Sequence, residues 1–263
     1  MSPGALFDVS GKTVVVTGGS RGIGLMIARG FVEAGATVLI SSRKADACRR
    51  AAEELSAAGS SGSCIAHPAD LSTPEGIASL VARAGELGPR LDVLVNNAGA
   101  TWGAPVEEFP GSGFDKVFNV NVKAVFALTQ QLLPRLRAAA SAEQPARVIN
   151  IGSVDGLAVS ATDNFSYGAS KAAVHMLTRK LASSLAAEHI TVNAIAPGPF
   201  PSKMTGYLLD SPEGAAAVTS RIPLGRVGTL EDIAGAAIFL SSRAGAYLTG
   251  AIIPVDGGIV GAR

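Results

Sequence analysis

The chain has 263 residues, of which 48% are hydrophobic and 16% charged, enough to fill a sizeable core and far from the profile of a disordered chain. A formal net charge of +1 with only 5% aromatic residues gives no field to gather nucleic acid or an anionic membrane, and few platforms for stacking bases. Mean hydropathy is positive, at +0.34, yet no apolar run reaches the ~18–20 residues of a spanning helix, and the first eleven residues lack a charged start and a long apolar stretch, so neither a membrane span nor a signal peptide is expected.

Residues 12–17 (KTVVVT) form a continuous β-branched run, the pattern of a strand buried on both faces. A glycine turn follows, then a helix to Ala34 that Gly35 stops. Residues 37–41 (TVLIS) read as a second strand, 44–58 as a helix with an exposed face, and 64–66 as a short third strand. Ser72, Thr73, Pro74 and Glu75 set a capping hydroxyl and a first-turn proline ahead of the next helix. Residues 92–95 (DVLV) are a fourth strand, followed by a long helix over roughly 114–137 that Pro134 should bend or end. A fifth strand at 147–151 (RVINI), a long helix at 168–188 and a sixth strand at 191–196 (TVNAIA) come next. Residues 229–232 (TLED) cap a further helix, and 251–255 (AIIPV) make a seventh strand. Residues 138–146 read as a surface loop, and 199–214, rich in Pro, Ser and Gly, as a substrate lid.

Strand and helix alternate with no linker between them. The expected fold is therefore α/β, a Rossmann-like, doubly wound parallel sheet of seven strands flanked by helices, with 1–263 as one catalytic domain. Cys48 and Cys64 fit neither a CxxC pair nor a zinc spacing and read as reduced thiols of a cytoplasmic protein. His67, His175 and His189 are scattered, so no metal site is expected.

The turn Thr17-Gly-Gly-Ser-Arg-Gly-Ile-Gly24 lies between the first strand and its helix. Gly18, Gly22 and Gly24 let the chain turn tightly and bring backbone N–H groups, with those of Ser20, Arg21 and Ile23, to a pyrophosphate at the helix N-terminus. A carboxylate at the end of the second strand would select the 2′-hydroxyl of NAD; the sequence has Ser41, Ser42, Arg43 and Lys44 instead. Arg43 and Arg21 together suit a 2′-phosphate through charge-assisted hydrogen bonds, which points to NADP.

Tyr167 and Lys171, four apart, project from one helix face. An ammonium one turn away is expected to lower the phenol's pKa and fit it for proton transfer. Ser153 follows the fifth strand, at the carboxyl edge where parallel sheets build ligand sites, and can hydrogen-bond a substrate oxygen. Asn121 sits mid-helix despite its poor propensity there.

Together with Asp70-Leu71, Asn96-Asn-Ala-Gly99, Tyr167-Gly-Ala-Ser-Lys171 and Pro197-Gly198, these residues resemble the short-chain dehydrogenase/reductase family over essentially the whole chain. The resemblance implies that Tyr167 is general acid in reduction, that Lys171 tunes it and holds the nicotinamide ribose, and that Ser153 orients the carbonyl. It further implies that Asn121 seats a relay water, that Asp70 with Leu71 meets the adenine, and that Asn97 and Gly99 flank the adenosine ribose. Pro197, Gly198, Phe200 and Ser202 match the segment over the nicotinamide, with serine replacing the family's usual threonine at 202. Trp102, with Phe200 and Met204, is expected either to line an apolar acyl pocket or to pack in the core.

Among the family's branches the chain is most similar to NADPH-dependent 3-oxoacyl reductases of the rhamnolipid-associated type, on residues 101–103, 130–134 and 141–153. Ser183 stands where such enzymes often carry a basic residue for docking acyl carrier protein, leaving Arg135 and Arg137 to supply a patch. The family's usual homotetramer, built through the helices bearing Asn121 and Tyr167, is expected here. The expected activity is reduction of a ketone, a 3-oxoacyl thioester or similar small molecule, by NADPH. An alcohol or steroid dehydrogenase and a catalytically silent dinucleotide-binding regulator are the alternatives.

Overall fold

The computed structural model describes residues 3–57, 61–160, 162–202, 206 and 210–262. After a short helix α1 (Pro3–Leu6), the chain runs β1 (Thr13–Thr17), α2 (Gly22–Glu33), β2 (Thr37–Ser42), α3 (Ala45–Ala57), β3 (Ser63–Pro68), α4 (Pro74–Glu86) and β4 (Val93–Asn96). Then come α5 (Gly111–Phe118), α6 (Ala124–Ala139), β5 (Ala146–Ile151), α7 (Phe165–Leu185), β6 (Ile190–Pro197), α8 (Pro212–Thr219), α9 (Leu230–Ser241) and β7 (Ile252–Val255). The strands form one seven-stranded sheet in the order β3-β2-β1-β4-β5-β6-β7, and every pairing is parallel. Seven strands and the doubly wound order match the sequence expectation. β1 is flanked by β2 and β4, so the chain changes direction across the sheet there, and parallel sheets open a crevice at such a switch point.

The alternation of side chains along each strand divides the apolar residues between two layers. Val14, Val16, Val38, Ile40, Val93 and Val95 pack with Ile27 and Phe31 of α2, Leu55 of α3 and Ile233 and Leu240 of α9. Val15, Leu39, Leu94, Val148 and Val192 pack with Leu80 of α4 and Leu128, Leu132 and Leu136 of α6. A buried polar ladder crosses the second layer. Asn96 of β4 donates to Thr129 of α6 (3.2 Å) and to Asn150 of β5 (2.9 Å), and Asn150 donates to Thr178 of α7 (2.9 Å). Each link satisfies a polar group that would be costly to bury alone, and the ladder fixes both long helices on the sheet.

The helix expected over 114–137 is three pieces. A π-helical turn, Asn119–Lys123, separates α5 from α6, and such turns widen a helix by one residue and re-aim a side chain. Pro134 does not end α6, which runs on to Ala139. Pro134 is exposed, so the carbonyl it leaves without an amide partner faces water, while Leu136 and Ala139 beyond it are buried. Expected caps are present: Thr73 accepts from Gly76 N (3.0 Å), and Thr229 with Asp232 forms a reciprocal box.

Candidate active site

Thr17, at the carboxyl end of β1, accepts from the backbone N–H groups of Asn97 and Ala98, each at 2.9 Å. Asn97 in return donates its amide to the Thr17 carbonyl (2.8 Å). These bonds lock the end of β1 to the end of β4 at the switch point. Gly18 (φ 67°) and Gly22 (φ 53°) take the left-handed conformation, which side chains with a Cβ disfavour. Space forbids a Cβ as well. One on Gly24 would lie 2.4 Å from the Gly18 carbonyl oxygen, and one on Gly18 would lie 2.7 Å from the Asn97 amide.

Helix α2 starts after Arg21 with no side-chain cap, so its first N–H groups face the crevice unsatisfied by the helix. Gly22 approaches the Ser202 Cβ, 3.2 Å from a Cβ placed on the glycine, so the Pro197-to-Ser202 segment crosses the turn. Bare backbone donors, excluded side chains and an overlying strap fit the pyrophosphate of a dinucleotide. Arg21 and Arg43 are exposed at this edge. Arg43 faces Asp70, whose carboxyl is held below its usual range, first by hydrogen bonds from Ser72 and also by the Arg43 charge. Gly198 lies against Asp256, 2.8 Å from a Cβ at 198 to the Asp256 Cα.

The remaining expected residues sit in varied surroundings. The side chains of Leu71 (7% exposed) and Phe200 (2%) are buried in core packing, Phe200 beneath Gly228. Ile23 packs against the α2 layer, partly buried. Ser42 contacts the Lys44 carbonyl at 3.4 Å. Trp102 is half-buried between Gly113 and Lys116, whose ammonium lies 4.9 Å from the ring centre. Trp102 and Phe200 therefore have separate surroundings. Met204 and part of the expected lid, 203–205 and 207–209, lie outside the described residues.

The catalytic candidates do come together. Lys171 is buried on α7 and donates to the Ile151 carbonyl at the end of β5 (2.7 Å), with its ammonium 5.5 Å from the Tyr167 ring centre. Gly99 passes beside it, 3.9 Å from the Lys171 Nζ and 3.5 Å from the Asn121 Oδ1 to a Cβ at 99. Asn121, buried in the π-helical turn, accepts from Ala100 N (2.8 Å) and donates to Ala100 O (3.0 Å) and to the Ser170 hydroxyl (2.9 Å). It thus ties the loop after β4 to the catalytic helix. Ser153 opens a 3₁₀ turn, Val154–Gly156, and accepts from Asp155 N (3.1 Å).

Burial dominates the electrostatics. It pushes the Tyr167 phenol up to about 12; the Ser153 hydroxyl bond pulls it down and the Asp155 charge pushes it further up. Burial also brings Lys171 down to about 8, against Asp155, which raises it. The expected lowering of Tyr167 by Lys171 is therefore not the leading effect in the free protein. The ammonium is turned to the Ile151 carbonyl, and desolvation of the phenolate outweighs it. At neutral pH the pair is a protonated phenol beside an ammonium, the form that donates a proton to an oxygen gaining charge.

Sequence reasoning quoted Asn96 within a motif but gave no role to it, nor to Asn150, Thr129, Thr178, Asp155 or Asn164. Asparagines inside otherwise apolar strands were the available signal, since strands disfavour them.

The family model described as enoyl-(acyl carrier protein) reductase matches residues 18–260. The chain belongs to this short-chain dehydrogenase/reductase family of oxidoreductases. It is 54% identical over 252 residues to the rhamnolipids biosynthesis 3-oxoacyl-[acyl-carrier-protein] reductase of Pseudomonas aeruginosa, covering 96% of this chain and 97% of that protein. It is 36% identical to the gluconate 5-dehydrogenase of Gluconobacter oxydans, covering 98% of each. Among solved structures, the RhlG/NADP active-site complex of Pseudomonas aeruginosa superposes with a TM-score of 0.93 at 53% identity, covering 98% of this chain and 99% of that one.

Proposed function

We propose that this short-chain dehydrogenase/reductase uses NADPH to reduce a ketone to a secondary alcohol, with a 3-oxoacyl thioester as substrate and the 3-hydroxyacyl thioester as product. The observation that carries the reading is the gathering of Ser153, Tyr167 and Lys171 at the end of β5, beside a glycine cradle with Arg21 and Arg43 at its rim. The named activity of the P. aeruginosa relative and the NADP in its structure support the substrate class and the cofactor.

NADPH, when bound, supplies the hydride. The protein's part is to hold and to protonate. The α2 amide groups with Gly18, Ser20, Gly22 and Gly24 receive the pyrophosphate; Arg21, Ser42 and Arg43 read the 2′-phosphate. Asp70, Asn97 and Gly99 border the adenosine, and Pro197, Gly198 and Ser202 close over the nicotinamide end. Ser153 hydrogen-bonds the carbonyl oxygen, Tyr167 gives it a proton as charge develops, and the Lys171 ammonium stabilises the resulting phenolate. Positioned proton transfer of this kind contributes roughly 10²–10⁴ in rate.

The whole chain acts as one catalytic domain, 199–214 as its lid, and Trp102 contacts the acyl group. It works in the cytoplasm as a homotetramer. The exposed Phe114, Phe126, Phe165 and Met176 on α5, α6 and α7 offer an apolar face for that assembly. The deciding experiment compares NADPH with NADH on matched 3-oxoacyl-CoA, 3-oxoacyl-carrier-protein, ketosteroid and keto-sugar substrates. The proposal expects NADPH-dependent turnover of a thioester to exceed all others. Preference for the sugar acid would favour the dehydrogenase reading that the gluconate relative supports.

A further inference from the structure

Between Ser153 and Tyr167 the chain makes a short excursion that is stitched back onto the catalytic helix. Ser153 Oγ accepts from Asp155 N (3.1 Å). The Asp155 carboxylate in turn accepts from the Asn164 side-chain amide (2.9 Å). The Asn164 carbonyl accepts from the N–H groups of Tyr167 (2.8 Å) and Gly168 (3.1 Å). Asn164 stands at the N-cap of α7, where an asparagine normally caps with its side chain. It makes no such cap; its amide is spent on Asp155. The turn is also pressed onto the helix, since a Cβ on Gly168 would lie 3.3 Å from the Asp155 carbonyl oxygen and one on Gly156 would lie 2.7 Å from the Lys171 carbonyl carbon.

Asp155 is therefore the middle link in the path from the substrate-binding serine to the proton donor. It is also the acid whose charge reaches both Tyr167 and Lys171. The turn contributes Asp155 and Ser153 to this cluster. Helix α7 contributes Tyr167, Lys171 and the buried His175, which sits against Gly152 and Gly156 and whose pKa is lowered, chiefly by burial.

We propose that Asp155, clasped by Asn164, is a positioning residue that sets Ser153 against Tyr167 and, through its charge, keeps the proton on the Tyr167–Lys171 pair, biasing the site toward reduction. This inference rests on the ketone-reduction reading. A carboxylate favours the protonated form of any group it faces, and the protonated pair is the form that reduces.

Two variants separate the clasp from the charge. In Asp155→Asn the side-chain oxygen can still accept from Asn164, but the charge is gone. The alkaline limb of the kcat profile for NADPH-dependent reduction should move down by about one unit, so that the rate at pH 7 falls by about half. In Asn164→Ala the charge stays and the clasp is lost. There kcat should fall by roughly tenfold, the KM for NADPH should hold, and the limb should not move down. Asp155→Ala, which breaks the same link from the other side, replaces Asn164→Ala if that protein fails to fold, and should combine both effects. An Asp155→Asn profile identical to wild type, or an unchanged kcat after the clasp is cut, overturns the proposal. Failure of the ketone-reduction reading would be distinguishable, because wild type itself would then show no turnover.

Discussion

At the carboxyl ends of β1, β2 and β4 the cleft is made by leaving side chains out. Glycines take left-handed turns, helix amides stay uncapped and two arginines stand in solvent. At the end of β5, half the site away, the opposite holds: Lys171 and Asn121 are buried polar groups held by named partners. Under the proposed function, the first region binds by presenting backbone and is sensitive to bulk, whereas the second reacts through desolvated groups and is sensitive to unmatched charge, so it stores instability that the first does not.

The contrast can be tested by substitution in each region. The largest effect is expected at Lys171→Met, with turnover down by about 10²-fold or more while the fold gains stability. Unfolded lysine keeps its proton to its ordinary 10.5, whereas the buried group releases it at about 8. Below pH 8 the wild type therefore carries a burial penalty of about 3 kcal/mol, and its stability rises as pH climbs from about 8 toward 10.5. Denaturant melts should show Lys171→Met more stable by roughly 1–3 kcal/mol at pH 7, with that pH-dependent rise gone. Loss of stability instead would erase the contrast.

Gly24→Ala tests the other region. Its Cβ would collide with the Gly18 carbonyl, so the dissociation constant for NADPH should rise by about tenfold or more, measured by fluorescence titration. Arg43→Ala should raise the KM for NADPH by roughly 10–100-fold and leave that for NADH within about twofold; equal effects would remove Arg43 from the 2′-phosphate.

The smallest effect is expected at Arg137. It pairs with Glu188, and Arg135 donates to the Gly88 carbonyl (3.2 Å). Both lie near the C-terminal end of α6, which leads into the amino end of β5, across the sheet from Tyr167. Arg137→Ala should leave kcat/KM for a carrier-borne substrate within about twofold.

Sequence reading did well where chemistry is local. The glycine turn, the Tyr-x-x-x-Lys spacing and the strand pattern each sit within a few residues, and each was placed on its correct element. It did less well where partners are distant. Asn96 meets Asn150 only because β4 and β5 pair, and Asp155 meets Asn164 only because the turn folds back on α7. The π-helical turn at Asn121 left a trace as an ill-placed asparagine, yet its geometry follows from tertiary contacts with Ala100 and Ser170. The behaviour of Tyr167 was misjudged for the same reason. Spacing shows a lysine nearby, but burial and the direction of its ammonium come from the fold.

Proton donation by Tyr167 is tested most directly by following NADPH oxidation with a 3-oxoacyl thioester in wild type and Tyr167→Phe, alongside NADPH binding. If Tyr167 is the donor, the variant binds NADPH as wild type does and loses roughly 10²–10⁴ in turnover. Retention of more than about a tenth of the wild-type rate, with cofactor binding intact, would contradict it.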